Sequence, residues 1–341
     1  MKNNSKPKFD LIALGDATLD TFIEIEEATV TCSLLKEDCV LCLSYADKIP
    51  VKSLQRKVAG NAANVAVGTS RLGLKSAFWT VLGNDPFANE VIKKMKDEKV
   101  STKYVHKERG TESNFTVVLN YKGERTQLIY RVPRTYHLPK LDAAKFIYLT
   151  AMGVNHHQSY EDLIKYVTLN QVKFAYNPGR EQIVCKEKIC KSLLEYADIL
   201  FVNKEEAHLI LKGYPPKKHK GTEKMRKPVI RELLMGLHDR GPKIVVMTDG
   251  ENGSYVFASH KFYELPIFPG PLIERTGAGD AYATGFLSAI IHDRKVEEAM
   301  AWGTYNAWSV VQKVGPIDGL LKFAQINKLV KKNLFFRGEE I

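Results

Sequence analysis

Short apolar runs alternate along most of this chain with longer stretches in which apolar side chains recur every third or fourth position. The short runs predict buried strands at residues 9–14, 77–82, 146–152, 173–176, 199–202 and 244–248. The longer stretches predict helices at 60–72, 86–96, 160–169, 192–196, 205–211 and 229–238, and a helical pattern from Asp280 nearly to the end. Asp85, just ahead of Pro86, is placed to open the helix it precedes. Strand–helix alternation of this kind predicts an α/β fold: a doubly wound, mostly parallel sheet with helices on both faces.

Two segments break the rhythm. Residues 21–58 and 114–131 read as strands with no helix between them. The second holds a hairpin, in which Val117 to Asn120 turn at 121–124 into Thr126 to Tyr130. Each segment leaves the α/β pattern and returns to it, so the expectation is a small β-sheet lid over one edge. The predicted division is an α/β core of 1–20, 59–113 and 132–341 with a β lid of 21–58 and 114–131.

Composition narrows the class without naming the chemistry. The 341 residues are 44% hydrophobic and 26% charged, which is ordinary for a globular protein. No apolar run approaches the roughly 20 residues of a membrane span, and the polar, lysine-bearing start lacks the apolar centre of a signal peptide. A cytoplasmic protein with no membrane partner is expected. Five cysteines, Cys32, Cys39, Cys42, Cys185 and Cys190, are an odd number, which argues against a disulfide framework. Buried or half-buried thiols are expected, including the C-x-x-C pair Cys39 and Cys42. A formal charge of +11 fits nucleic acid or an anionic substrate. The densest basic cluster, within 213–227, has no interleaved aromatics and reads as a solvated loop, so no nucleic-acid partner is expected.

Chemistry concentrates at Arg275-Thr276-Gly277-Ala278-Gly279-Asp280, at the start of an apolar helix. Glycines let backbone N–H groups converge there, and the helix adds unpaired N–H groups and the positive end of its dipole. An anion fits such a turn, and a carboxylate beside it is suited to taking a proton. The competing reading is a cap, with Thr276 or Asp280 merely opening the helix. Asp16, Asp20, Asn177, Asn203, Thr248 and Gly250 also fall at predicted strand ends, where ligands of open parallel sheets bind.

These residues carry a resemblance. Arg275 to Tyr282 resembles the C-terminal signature of the ribokinase-like (PfkB) family of carbohydrate kinases, and Ala59 to Ala66 with Arg71-Leu72-Gly73 resembles the N-terminal one. Asn203-Lys204-Glu205-Glu206 is similar to its N-x-x-E element, and Thr248 to Gly253 to its nucleotide-holding turn. The resemblance implies Asp280 as base, with Gly277, Ala278 and Gly279 as an anion hole, in transfer from ATP to a hydroxyl. It implies Asn203, Thr248, Gly250 and Gly253, with Thr304 and Asn306 more weakly, for the nucleotide. Asp20, Gly60, Asn61 and Asn64 would hold the acceptor, Glu206 would order Mg²⁺ with ATP, and Glu274 stands where relatives use an acid for K⁺.

Alternatives stay open at this point. The acceptor is a sugar or sugar-like molecule, or a nucleoside of the adenosine or inosine type stacked on Phe22, Tyr45 or Phe115. Arg125, Arg131 and Arg134 are available to a carboxylate or phosphate on the acceptor. A non-catalytic sugar-binding regulator would be expected to lack Asp280 or the glycine turn, and this chain has both. The apolar run 40–45 is a candidate homodimer contact through the lid.

Overall fold

Apolar alternation becomes a ten-stranded sheet covered by helices on both faces, with a four-stranded sheet beside it. The computed structural model describes residues 7–32, 39–122, 124–153, 155–185, 188–212 and 223–341. Its strands are β1 Phe9–Leu14, β2 Thr18–Ile25, β3 Thr29–Cys32, β4 Cys39–Cys42, β5 Val51–Ala59, β6 Ser76–Gly83, β7 Ser101–Glu108 and β8 Phe115–Tyr121. They continue as β9 Glu124–Tyr130, β10 Ala144–Leu149, β11 Lys173–Tyr176, β12 Ile199–Asn203, β13 Ile244–Thr248, β14 Ser254–Ala258, β15 Lys261–Leu265 and β16 Glu339–Glu340. The helices are α1 Asn61–Arg71, α2 Pro86–Asp97, α3 His157–Asn170, α4 Arg180–Val184 and α5 Lys188–Tyr196. After them come α6 Lys204–Lys212, α7 Glu223–His238, α8 Ala278–Ile291, α9 Val296–Val310 and α10 Phe323–Lys332.

The large sheet runs β16-β15-β14-β13-β12-β11-β10-β1-β6-β7. Every pairing from β13 across to β7 is parallel, and β14, β15 and β16 extend the other edge antiparallel. The expected strands are therefore present, and the helical tail gives way at the end to β16. Alternate side chains of one strand enter different cores. Leu11 and Ala13 pack with α1, α8 and α9, whereas Ile12 and Leu14 pack with α3 and α7. That split requires strands apolar at nearly every position, which is the pattern the sequence shows. Asp85 caps α2 as expected, accepting from the Ala88 N–H at 2.8 Å. Among the described residues no helix is long and apolar enough to cross a membrane.

The small sheet, β5-β2-β8-β9, draws on both segments that lacked helices. β2 pairs antiparallel with β5 and parallel with β8, and β8 and β9 form the expected hairpin. β2 starts at Thr18, so Asp20 belongs to this sheet by hydrogen bonding, with Thr116 of β8 as its register partner. One expectation is overturned at the β3–β4 hairpin. Its register sets Cys32 opposite Cys39, and the two form a disulfide. Cys42 is free and exposed, so neither residue of the C-x-x-C pair is a buried thiol. Cys185 is also disulfide-bonded. Of the basic cluster at 213–227, residues 213–222 lie outside the described residues, and 223–227 form the start of α7 rather than the expected loop.

Candidate active site

The carboxyl ends of β1, β10, β11, β12 and β13 face the small sheet across a cleft of about 440 Å³. Asp16 follows β1, Ala151 follows β10, Asn177 follows β11, Asn203 ends β12 and Thr248 ends β13, and all five line it. Gly60, Asn61 and Asn64 enter from the start of α1, and Thr276 to Asp280 from the start of α8. Asp20, Thr116, Arg125, Gln127, Ile129 and Arg131 complete the wall from the small sheet and its exit.

Asp280 sits in the first turn of α8, almost fully buried. Asn64 Nδ2 donates to its Oδ2 at 2.8 Å, linking the first turns of α8 and α1. Burial pushes the Asp280 carboxyl up to about 6, and the Asn64 bond restrains that rise. Gly277 caps the helix with φ 79°, and a Cβ there would lie 2.3 Å from Pro316 Cβ. Only glycine meets both demands. A Cβ on Gly279 would meet nothing within 4 Å, so its missing side chain leaves the space in front of the turn open. Asp280 accepts a side-chain bond from another helix and faces the cleft, which simple capping does not require.

Asn203 and Glu206 form a reciprocal cap at the start of α6. Glu206 N–H donates to Asn203 Oδ1 and Asn203 N–H donates to Glu206 Oε2, each at 2.8 Å. The N-x-x-E element thus has a structural task as well as a place on the cleft wall. Burial first, and the charge of Asp280 among lesser causes, push Glu206 up to about 7. A buried carboxyl whose ionisation is further opposed by a neighbouring acid is one that a divalent cation would favour, so Glu206 could hold one here.

On the opposite side, Thr18 Oγ1 donates to Asp20 Oδ1 at 2.7 Å. Burial raises Asp20 and the Thr18 and Thr116 hydroxyls counter that rise. Asp16 accepts from the Tyr136 hydroxyl at 2.7 Å and is pushed up to about 6, chiefly by burial. Gly60 has φ 105°, and a Cβ there would lie 2.6 Å from the Asp16 carbonyl oxygen. This contact packs the first turn of α1 against the segment after β1.

Several expected residues lie elsewhere. Gly250 and Gly253 flank the turn from β13 to β14, where Asp249 N–H donates to the Gly253 carbonyl at 2.9 Å. Thr304 and Asn306 are buried in α9, and Asn306 donates to the Ala281 carbonyl and accepts from Leu321 N–H. Neither pair lines the cleft. Glu274 is buried with its oxygens engaged: Oε1 accepts from Thr276 N–H at 2.7 Å and Oε2 from Gly315 N–H at 3.2 Å. Arg125 Nη1 lies 3.6 Å from Oε1. Amide donors and a guanidinium are the wrong surroundings for a monovalent cation, so Glu274 does not fit K⁺.

Of the three arginines set aside for an anionic acceptor, Arg125 and Arg131 line the cleft. Arg134 is buried, paired with Glu108 at 2.8 Å and donating to the Glu112 carbonyl. Phe22, Tyr45 and Phe115 do not line the cleft: Phe22 is buried, Tyr45 is 99% exposed and Phe115 stacks on Phe87. Tyr136, Thr18, Thr116 and Gln127 entered through the structure. Thr18 and Asp20, two apart on one strand, were legible as sharing a face. Tyr136 lies in irregular chain, and no pattern marked it.

Comparisons with known proteins place this fold. The model for "pfkB family carbohydrate kinase" matches residues 24–322. An ATP-dependent 6-phosphofructokinase of Thermoanaerobacterium thermosaccharolyticum is 21% identical over 328 residues, covering 92% of this chain and 91% of the relative. A 5-dehydro-2-deoxygluconokinase of Clostridium tetani is 24% identical over 314 residues, covering 85% and 88%. Among solved structures, Arabidopsis thaliana ribokinase complexed with ribose and ATP has a TM-score of 0.75 at 22% identity, covering 96% of this chain and 99% of that one. Burkholderia thailandensis nucleoside kinase in complex with inosine has a TM-score of 0.73 at 18% identity, covering 96% and 98%.

Proposed function

The chain belongs to the pfkB family of carbohydrate kinases, and from that premise we propose that it moves the γ-phosphoryl group of ATP onto a hydroxyl of a sugar or sugar-like molecule. Asp280 is the base. Its carboxylate takes the hydroxyl proton as the freed oxygen attacks phosphorus and ADP leaves. A group pushed up to about 6 is mostly ionised at neutral pH and more basic than an exposed aspartate. The N–H groups of Gly277, Ala278 and Gly279 neutralise charge on the transferring group, in the space the absent Gly279 side chain leaves open.

Asp20, Asn64, Asn61 and Gly60 hold the acceptor, and Asp16 joins them through the same wall. Thr248 and Asn203 face the nucleotide, with Gly250, Gly253, Thr304 and Asn306 shaping its surroundings rather than the cleft itself. Mg²⁺ bound with ATP supplies charge neutralisation on the phosphates, and Glu206 is the residue that would order it. Residues 21–58 and 114–131 serve as a lid over the core formed by the rest, excluding water from the reaction. The exposed Val40 and Tyr45 within it offer a homodimer contact through the lid. A cytoplasmic location, where ATP is made, goes with this reading.

A nucleoside acceptor is the weaker reading, because none of the three aromatics expected to stack on a base lines the cleft. The single observation that carries the kinase reading is Asp280, buried against Asn64 in the cleft that also gathers Asp20, Asn203, Glu206 and Thr248. The direct test is ADP release from Mg²⁺-ATP with a panel of sugars, sugar acids, sugar phosphates and nucleosides. Acceptor-dependent release with members of the sugar classes is expected. Release independent of every acceptor, or none at all with intact nucleotide binding, would reject it.

A further inference from the structure

Glu274 immediately precedes the catalytic turn, and its side chain is only 6% exposed. Its carboxylate holds Thr276 N–H at one end of the turn and Gly315 N–H, next to the Pro316 that packs on Gly277. Two amide dipoles only partly offset a desolvated charge, and a buried carboxylate needs a full positive partner. Arg275, its sequence neighbour, turns away and pairs with Glu251 at 3.0 Å. The cation recorded within 4 Å of Glu274, among the described residues, is Arg125 of β9.

Arg125 reaches Glu274 because of strand periodicity. Arg125, Gln127 and Ile129 alternate along β9 and line the cleft together, so one face of the strand looks down onto the core. Arg125 also borders a second cavity of about 480 Å³, with Ile273, Glu274 and Arg275, and so stands between the two spaces. The negative charge of Glu274 is felt as far as Asp20, adding to the forces that raise it. A guanidinium beside Glu274 offsets its charge, and it does not deprotonate in the working pH range.

We infer that Arg125 is the resident counter-charge of Glu274, a positioning residue that ties the small sheet to the catalytic turn and makes turnover independent of added monovalent cations. The inference rests on the kinase reading above, but its geometry does not. A tethered guanidinium is present at high effective concentration and repels a free cation from the same carboxylate. The contact joins β9 to the loop ahead of α8, so seating the small sheet over an acceptor also completes the electrostatics of the turn that receives the phosphoryl group. Solvation and nucleotide affinity of that turn are thereby linked to the position of β9.

The test compares the full-length protein with Arg125→Ala and Arg125→Lys in tetramethylammonium buffer, with and without KCl. Acceptor-dependent ADP release, ADP affinity by calorimetry and thermal melting are read for each. For the wild type, KCl should change kcat and ADP affinity by less than about two-fold. Arg125→Ala should lose about ten-fold in kcat and in ADP affinity without KCl, and recover part of both when KCl is added. Arg125→Lys, which keeps the charge, should stay insensitive to KCl. A wild type that gains about ten-fold from KCl overturns the inference, as does an alanine variant indistinguishable from wild type in both buffers. If Arg125→Ala does not fold, the lysine variant decides: KCl dependence there overturns the inference and indifference supports it. A wild type inactive on every acceptor defeats the kinase reading alone, because ADP affinity still reports whether KCl replaces Arg125.

Discussion

β6 in the large sheet is buried at all of its positions, whereas β9 in the small sheet is exposed at all of its own. Both are strands, and the difference lies in what covers them. The large sheet has helices on two faces, so groups at its strand ends and at the adjoining helix starts are desolvated; Asp16 after β1, Asp280 in α8 and Glu206 in α6 all rise above their ordinary values, chiefly through burial. β9, at the edge of the small sheet, is the solvated part of that sheet, and it contributes Arg125, whose charge does not depend on burial. The rigid region therefore sets base strength, and the solvated one supplies permanent charge and access. Titratable catalysis and fixed electrostatics are divided between two packing regimes.

The strongest attempt to break this division is Asp280→Asn. Turnover should fall about a thousand-fold, as for removal of a general base, while ADP binding persists. Melting temperature should not drop, because the buried carboxylate is held at a cost that the amide does not share. A stable variant with near-normal kcat would remove Asp280 from its role. Next in size is Gly277→Ala, which sets a Cβ against Pro316 in a backbone conformation alanine resists. A loss of about a hundred-fold in kcat is expected, measured beside a melt showing that the fold survives.

The third prediction sharpens the comparison through pH. Asp280 must be ionised to act, so kcat/KM should fall as pH drops through about 6, roughly ten-fold for each further unit. Stability should move the other way. A carboxyl raised in the folded state binds its proton more tightly there than when unfolded, so the cost of ionisation is greatest above about pH 7 and fades as pH falls through about 6. The reverse holds for Glu98, lowered to about 2 by Arg71: its contribution is present above the usual carboxylate range and disappears in stronger acid. Parallel pH–rate and pH–melting curves should diverge between pH 7 and 5. Curves that fall together would show that desolvation of these acids is not what sets the rate.

The smallest effect is expected from Leu128→Ala in β9, whose side chain is 55% exposed. Denaturant titration should find a change below about 0.5 kcal/mol, against about 2–5 kcal/mol for Ile147→Ala in β10, which has no exposed surface. A large loss at Leu128 would show that this face is covered in solution, and the contrast between the sheets would fail.

Much of the site could be read from the chain because local rules and function coincide there. Gly277 and Asp280 open a helix, Asn203 and Glu206 cap one, and each lies within a few residues of its partner in the motif. Legibility ended where partners are distant. The Asn64–Asp280 bond joins two helix starts far apart in sequence, and neither residue alone indicates the other. Tyr136 beneath Asp16 and Arg125 beside Glu274 are of the same kind. The cysteines misled because an odd count says nothing of a hairpin register that sets Cys32 against Cys39.

Periodicity determined which segments are strands and helices, since burial on one or two faces must be written in the order of apolar residues. Glycine positions and helix-start polar residues likewise located the anion-friendly turn, because backbone conformation is a local property. Only the tertiary structure decided how acidic the cleft residues are, which arginine neutralises Glu274, and which expected contacts are structural ties in the interior. Those depend on desolvation and on charges a few ångströms away through space, and neither distance is encoded by spacing along the chain.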